Sequence, residues 1–275
     1  MENYSIGVFD SGFGGLTVLK EITSRLPEYN YIYLGDNART PYGSRSFETV
    51  YKYTLQAVNW LFSKGCYLII LACNTASAKA LRTIQQNDLA RIAPGRRVLG
   101  VIRPVTEIIG SLTSSGHIGI IATTGTVKSN SYVLEISKSF PDITISQQAC
   151  PLLVPLIENN EFNNEGADFF IRKYIRSLLE KDPLIDTLIL GCTHYPLILD
   201  NIRANLPSSI RVISQGAIVA ESLDDYLKRH QEIEIQLGKN YRRQFFTTDI
   251  SEMFDDLAEL FYGEKIFSEH AKMEI

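Results

Sequence analysis

Leu68-Ile69-Ile70-Leu71-Ala72-Cys73-Asn74-Thr75-Ala76 is the stretch whose reading decides the fold. An unbroken apolar run of strand length stops at a thiol, two small polar residues and a good helix former. A run without polar alternation predicts a strand buried on both faces, as in a parallel sheet. The thiol then stands at the carboxyl end of the strand, where open α/β sheets bind their ligands. The arrangement occurs once more, in Leu188-Ile189-Leu190-Gly191-Cys192-Thr193-His194-Tyr195.

Around these two stretches strand and helix signals alternate. Ser5–Asp10 reads as the first strand and runs through Ser11-Gly12-Phe13-Gly14-Gly15 into a helical stripe of Leu16, Leu19, Ile22 and Leu26, stopped by Pro27. Residues 30–35 read as a second strand ending at Asp36, followed by a polar loop with Thr40-Pro41-Tyr42-Gly43. Ser46 caps a long amphipathic helix that Gly65 ends. Beyond the Cys73 strand come a helix with Leu81 and Ile84 and a fourth strand over 97–102, up to Pro104. The plan then restarts. His117–Ala122 is a strand leading through Thr123-Thr124-Gly125-Thr126 into a helix around Tyr132; 142–146 is a strand, 150–161 a Pro-punctuated loop, and 169–179 a helix. The Cys192 strand, a helix through Ile198 and Ile202 and a strand over 210–214 follow. The tail carries a helix over 218–227, a short strand over 244–248 and a helix over 253–262, and is expected to pack back onto the first unit. Such alternation implies mostly parallel sheets with right-handed crossovers.

Ile6-Gly7-Val8-Phe9-Asp10-Ser11 matches Ile118-Gly119-Ile120-Ile121-Ala122-Thr123 at an offset of 112, and the Cys73 stretch matches the Cys192 stretch at 119. Matching order and near-equal spacing indicate internal duplication. The expected fold is two similar parallel-sheet α/β domains related by pseudo-symmetry, with an active site in the cleft between them. The expected division is 1–99 plus 214–275 for the Cys73 half and 100–213 for the Cys192 half.

Composition narrows the function. The 275 residues are 45% hydrophobic and carry a net charge of −4 without a basic run, which gives nucleic-acid binding no support. Apolar runs are of strand length, so no membrane span is expected, and the N-terminus lacks a secretory pattern. Four cysteines without a CxxC pair suggest free thiols in a reducing cytoplasm and no zinc site. The Gly-rich loop at Asp10–Gly15 fits neither GxGxxG nor the Walker pattern, and no lysine motif points to pyridoxal phosphate, so neither cofactor nor metal is expected.

A lone cysteine is most often a small core hydrophobe, and Cys66 and Cys150 keep that reading. Cys73 and Cys192 depart from it. Each ends a strand, each precedes polar residues and a helix start that favours a thiolate, and each occupies the equivalent place in its half. Hydrolysis needs one nucleophile and one base. Two equivalent thiols suit a nearly symmetric reaction: one removes a Cα proton from one face and the other returns a proton to the opposite face, as in racemisation. Hydroxyls and N–H groups of Ser11, Thr75, Thr123, Thr126 and Thr193 are candidates to hold substrate carboxylates. Asp10 and His194 flank the thiols as candidate proton partners, although a helix-capping Asp and a surface-loop His are the plainer readings.

At these residues the chain resembles the glutamate racemases of the cofactor-independent aspartate/glutamate racemase superfamily. The matching stretches are Asp10-Ser11-Gly12-Phe13-Gly14-Gly15, Pro41-Tyr42-Gly43, Cys73-Asn74-Thr75-Ala76, Thr123-Thr124-Gly125-Thr126, Pro155-Leu156-Ile157-Glu158 and Gly191-Cys192-Thr193-His194-Tyr195-Pro196. The resemblance implies interconversion of L- and D-glutamate for bacterial peptidoglycan, two α/β domains around a buried site, and often a homodimer. By the same resemblance Cys73 takes the proton from D-glutamate with Asp10 assisting, and Cys192 takes it from L-glutamate with His194 assisting. Ser11, Tyr42, Gly43, Asn74, Thr75 and Thr193 would bind substrate, with Asp36 and Glu158 as further acidic residues near the site. Three places depart from the family pattern: Arg103 before Pro104, Asn37 after Asp36, and Ile213-Ser214-Gln215-Gly216, where an acidic residue is expected. Three other readings stay open: an aspartate racemase or other isomerase or decarboxylase on the same fold, an amidohydrolase with Cys73 as nucleophile and His194 as base, and an idle amino-acid-binding or partner-regulating protein.

Overall fold

The computed structural model describes residues 3–273. Its strands are β1 (Ser5–Asp10), β2 (Tyr31–Gly35), β3 (Cys66–Leu71), β4 (Arg97–Gly100), β5 (His117–Ala122), β6 (Thr144–Ala149), β7 (Thr187–Gly191), β8 (Arg211–Ile213), β9 (Arg243–Thr247) and β10 (Ser268–His270). They form two sheets, β10-β9-β2-β1-β3-β4 and β6-β5-β7-β8, and every strand pair is parallel. Each sheet repeats one four-strand order in which the first strand of its half lies between the second and third. β1 and β5 are thus equivalent, as are β3 and β7, which matches the duplication read from the sequence. No helix of the described residues is long and apolar enough to cross a membrane.

The apolar run that opens the chain's reading is apolar because both its faces are covered. Leu68 and Ile70 join a core cluster that also takes Leu188 and Leu190 from the other sheet, whereas Ile69 and Leu71 pack with Val50, Ala57, Val58 and Leu61 of the helix Phe47–Ser63. Each of these buried Val, Leu and Ile side chains contributes about 1.5–3 kcal/mol. Ser46 caps that helix by accepting the Thr49 N–H, and Gly65 leaves it at φ 84°. In the tail, β9 pairs with β2, and the helix Ser251–Tyr262 packs under the Gly-rich loop, with Phe13 stacked on Phe254 and Phe261 at 5.1 and 5.7 Å.

Several elements differ from the sequence reading, and proline explains two of them. The strand expected over 97–102 stops at Gly100, and the helix Ile102–Ile108 begins with Pro104 in its first turn. The expected loop over 150–161 contains the helix Leu153–Glu158, again with a proline, Pro155, in its first turn. A proline there breaks no helical hydrogen bond, so both prolines start helices and do not end an element. The strand expected over 142–146 starts two residues later and ends three residues later, at Thr144–Ala149. The helix around Tyr132 is two helices, Thr124–Ser129 and Ser131–Ser139, separated by Asn130 at φ 52°. The helix with Leu81 and Ile84 passes through a π turn at Ile84–Asp88. The helix Gln231–Glu234 and the three-residue β10, Ser-Glu-His, carry no apolar pattern that would announce them. Arg103 is largely exposed and pairs with Glu107 one turn along its own helix at 2.7 Å.

Truncating Ile69 to Ala in the middle of β3 should cost roughly 2–5 kcal/mol, seen as a lower denaturant midpoint with an unchanged slope.

Candidate active site

The carboxyl ends of both sheets open into one cavity of about 270 Å³. Ser11 from the loop after β1, Tyr42 and Gly43 from the loop after β2, and Cys73, Asn74 and Thr75 from the turn after β3 line one side. Thr123 from the end of β5 and Cys192, Thr193 and His194 from the end of β7 line the other. Hydrogen bonds hold the two sides together: Gly125 N–H donates to the Gly43 carbonyl at 2.7 Å, Thr17 Oγ1 to the Thr193 carbonyl at 2.9 Å, and the Thr75 and Thr123 hydroxyls lie 2.9 Å apart.

Four expected site residues do not line the cavity. Thr126 is fully buried behind Thr75 and Thr123 and bonds to both hydroxyls. Asp10 is fully buried too; its Oδ1 accepts the Gly12 N–H at 3.0 Å and its Oδ2 the Thr193 hydroxyl at 3.5 Å. Asp36 lies behind Tyr42 and accepts that phenol, the Thr248 hydroxyl and both contacts of the Arg39 Nε. Glu158 accepts or shares a hydrogen bond with His194 Nε2 at 2.9 Å. Sequence reasoning missed Thr40, Pro41, Ser44, Thr124, Cys150, Pro151, Val154 and Pro155 as lining residues. Cys150 carried a usable signal. It directly follows β6, much as Cys73 lies two residues beyond β3, but a strand expected to end three residues earlier hid that position.

The two thiols have different surroundings. Cys73 caps the helix Asn74–Lys79: its Sγ accepts the Ala76 N–H at 3.5 Å and lies 3.4 Å from Ser11 Oγ. A helix start alone would favour a thiolate, but burial pushes the Cys73 thiol up to about 12, and the Asp10 carboxylate adds to the rise against the hydrogen bonds of Ser11 and Ala76. Cys192 is not a helix cap. A 3₁₀ turn, Tyr195–Ile198, begins three residues on, and the sulfur meets a ring nitrogen, His194 Nδ1, at 3.8 Å. Burial alone would lower the His194 pKa, but the hydrogen bonds and charges of Cys192 and Glu158 outweigh it and raise the imidazole to about 10. Burial raises the Asp10 carboxyl, and the His194 cation opposes that rise. Burial also pushes up the thiols of Cys66 and Cys150, and all four cysteines are free.

His194 is fixed in place by its neighbours. Phe261 meets its ring edge-on at 5.3 Å, and Gly14 lies so close that a Cβ there would overlap both Thr193 Oγ1 and His194 Nδ1. The ring faces Cys192, so the Cys73–His194 pairing that an amidohydrolase would use is not the contact formed. Asn74 has both ends of its amide held, Oδ1 by the Tyr132 hydroxyl at 2.8 Å and Nδ2 by Gln215 Oε1 at 2.9 Å. Asn37 accepts the Thr247 hydroxyl at 3.2 Å. Among the described residues no group of three or more His, Cys, Asp or Glu is placed to hold a metal ion.

Because the His194 pKa is raised above 6.5 to about 10, the stability this group contributes is fully present below pH 6.5 and lost as pH rises through about 10. Glu158→Gln removes one of the causes. The imidazole should then titrate at lower pH in an NMR titration, and the alkaline loss of stability should begin earlier. An unmoved His194 titration would show that Glu158 does not set its charge.

Comparison with known proteins places this cavity in context. Residues 7–223 match the family model described as Asp/Glu/Hydantoin racemase. The chain is 40% identical to a glutamate racemase of Persephonella marina over 98% of this chain and 97% of that one. It superposes on the crystal structure of a glutamate racemase isoform from Bacillus anthracis with a TM-score of 0.89 and 34% identity, covering 99% of this chain and 98% of that one. A glutamate racemase from Francisella tularensis, crystallised in complex with D-glutamate, matches with a TM-score of 0.86 and 34% identity over 100% of this chain and 98% of that one. With two like sheets, a thiol at the end of the third strand of each half and this likeness along its whole length, the chain belongs to the Asp/Glu/Hydantoin racemase family, among its glutamate racemases.

Proposed function

We propose that this protein interconverts L- and D-glutamate without a cofactor, with Cys73 and Cys192 as the two acid–base groups. The observation that carries the reading is that Cys73, at the end of the third strand of one sheet, and Cys192, at the end of the third strand of the other, are both buried and line one small cavity. Full-length likeness to glutamate racemases supports glutamate as the substrate. Ser11, Tyr42, Gly43, Asn74, Thr75, Thr123 and Thr193 would hold the substrate's carboxylates and amino group, and Thr126 would brace Thr75 and Thr123 from behind.

The reaction needs one thiolate and one thiol. In the proposed resting form desolvation together with Asp10 keeps the proton on Cys73, and Cys192, whose sulfur lies 3.8 Å from His194 Nδ1, serves as the base. In this resting form Cys192 takes the Cα proton of one enantiomer. The carbanion then accepts the Cys73 proton from the opposite face, and the charge ends on Cys73. The product form is the starting form for the reverse reaction, so both directions use one site. By family resemblance Cys192 meets the proton of L-glutamate and Cys73 that of D-glutamate. Asp10 acts on Cys73 through its charge, and Glu158 acts on Cys192 through His194; Asp36 orients Tyr42.

The reading includes two domains, 1–99 with 214–275 and 100–213. The division of strands between the sheets supports it, since β1–β4, β9 and β10 fall in the first span to within a residue and β5–β8 in the second. It also includes a cytoplasmic location, a homodimer and the supply of D-glutamate for peptidoglycan, all implied by the family.

Replacing either Cys73 or Cys192 by Ala should abolish racemisation in both directions, since each turnover needs both groups. With a leaving group such as chlorine at the β-carbon, deprotonation alone leads to elimination. Each single variant should therefore eliminate from one enantiomer of such a glutamate analogue, with opposite preferences. If both act on the same enantiomer, the two thiols do not serve opposite faces. Dialysis against a chelator, or treatment with a carbonyl reagent that traps pyridoxal phosphate, should leave racemisation intact; a loss restored by metal or pyridoxal phosphate would overturn the two-thiol mechanism.

A further inference from the structure

Asn74 follows Cys73 directly and is the first residue of the helix that Cys73 caps. Its side chain belongs to a closed ring of three buried groups. Asn74 Nδ2 donates to Gln215 Oε1 at 2.9 Å, Gln215 Nε2 donates to the Tyr132 hydroxyl, and that hydroxyl donates to Asn74 Oδ1 at 2.8 Å. All three donors point the same way round, so each bond polarises the next. Asn74, Tyr132 and Gln215 are 2%, 0% and 4% exposed, so water cannot replace a lost member.

The three members come from three parts of the fold. Asn74 belongs to the turn after β3 in the first sheet. Tyr132 lies on the helix Ser131–Ser139 of the second half. Gln215 stands in the segment that leaves β8 and precedes the helix Gly216–Arg229, where the chain crosses back towards the first sheet. The ring therefore ties the first turn of the Cys73 helix to the other half and to the crossing. On the Cys192 side the hydrogen bonds run through His194 to Glu158 and share no member with it.

We propose that Tyr132 and Gln215 are positioning residues for Cys73 and not for Cys192. They hold the Asn74 amide, and the amide sets the turn on which the Cys73 sulfur and the Thr75 hydroxyl sit. Gln215 occupies the segment where the family pattern led us to expect an acidic residue. A carboxylate at this position could accept from Asn74 but not donate to Tyr132, so the ring depends on the amide. This inference rests on the two-thiol reading above and assigns the ring to one half of it.

Overall racemisation cannot separate the halves, because the equilibrium between enantiomers ties kcat/KM in one direction to kcat/KM in the other. Elimination by single-cysteine enzymes can. Tyr132→Phe removes only the ring hydroxyl and is placed in two backgrounds: Cys192→Ala, where Cys73 acts alone, and Cys73→Ala, where Cys192 acts alone. Each is assayed with the β-chloro analogue of the enantiomer it uses. Because Asn74 and Thr75 also hold substrate in the proposed reaction, Tyr132→Phe should lower kcat/KM in both enzymes, and at least five-fold more in the Cys73-only enzyme than in the Cys192-only enzyme. Gln215→Leu should repeat the pattern if Tyr132→Phe fails to fold. Equal losses in both backgrounds, or none in the Cys73-only enzyme, would overturn the proposal. If the parent single-cysteine enzymes eliminate from neither enantiomer, the two-thiol reading itself fails, and this one with it.

Discussion

The hydrogen bonds that join the two sets of strand ends make the site one object. Gly125 N–H on Gly43, the Thr75 and Thr123 hydroxyls on each other, and Thr17 on the Thr193 carbonyl fasten loops of one sheet to loops of the other. They add to a hydrophobic core that already joins the two sheets through Leu68, Ile70, Leu188 and Leu190. With them, residues far apart in the chain line a cavity of about 270 Å³. Burial on this scale holds the proton on Cys73, whereas at His194 the hydrogen bonds and charges of Cys192 and Glu158 outweigh it.

Duplication supplied two like thiols, but their surroundings have diverged. Cys73 keeps a helix cap, a neighbouring hydroxyl and a buried carboxyl, and its proton is held firmly. Cys192 is followed by a 3₁₀ turn in place of a helix start and meets an imidazole that Glu158 holds through Nε2. In the proposed reaction this inequality gives the two thiols different starting roles, Cys73 as the acid and Cys192 as the base.

The C-terminal segment takes part in this arrangement. Its strand β9 extends the first sheet beside β2, and its helix brings Phe254 and Phe261 under Phe13. Phe261 also meets the His194 ring, so a helix from the chain's last thirty or so residues helps to orient a group at the end of β7. Gly14 completes the fit from the other side, because only a residue without a Cβ lets the Gly-rich loop approach His194 and Thr193 so closely.

By itself the sequence determined the elements whose signal is local. Apolar runs closed by Cys73 and Cys192, the Ser46 cap and the repeated order of strands were legible because strand burial, capping and duplication each leave a pattern within a few residues. The cavity residues Ser11, Tyr42, Gly43, Asn74, Thr75, Thr123, Thr193 and His194 were legible as strand-end loops and through family resemblance. What the tertiary structure alone decided was charge and partnership. The raised Cys73 and His194 pKa values come from desolvation and from groups brought close by folding, and no spacing in the chain encodes them. Cys150 is a wall of the cavity because β6 ends three residues later than its sequence suggests, and Pro104 and Pro155 start helices because a proline's meaning depends on which turn it occupies. The Asn74–Tyr132–Gln215 ring joins positions up to 141 apart in the chain, and only the packing of two sheets could bring them within hydrogen-bonding reach.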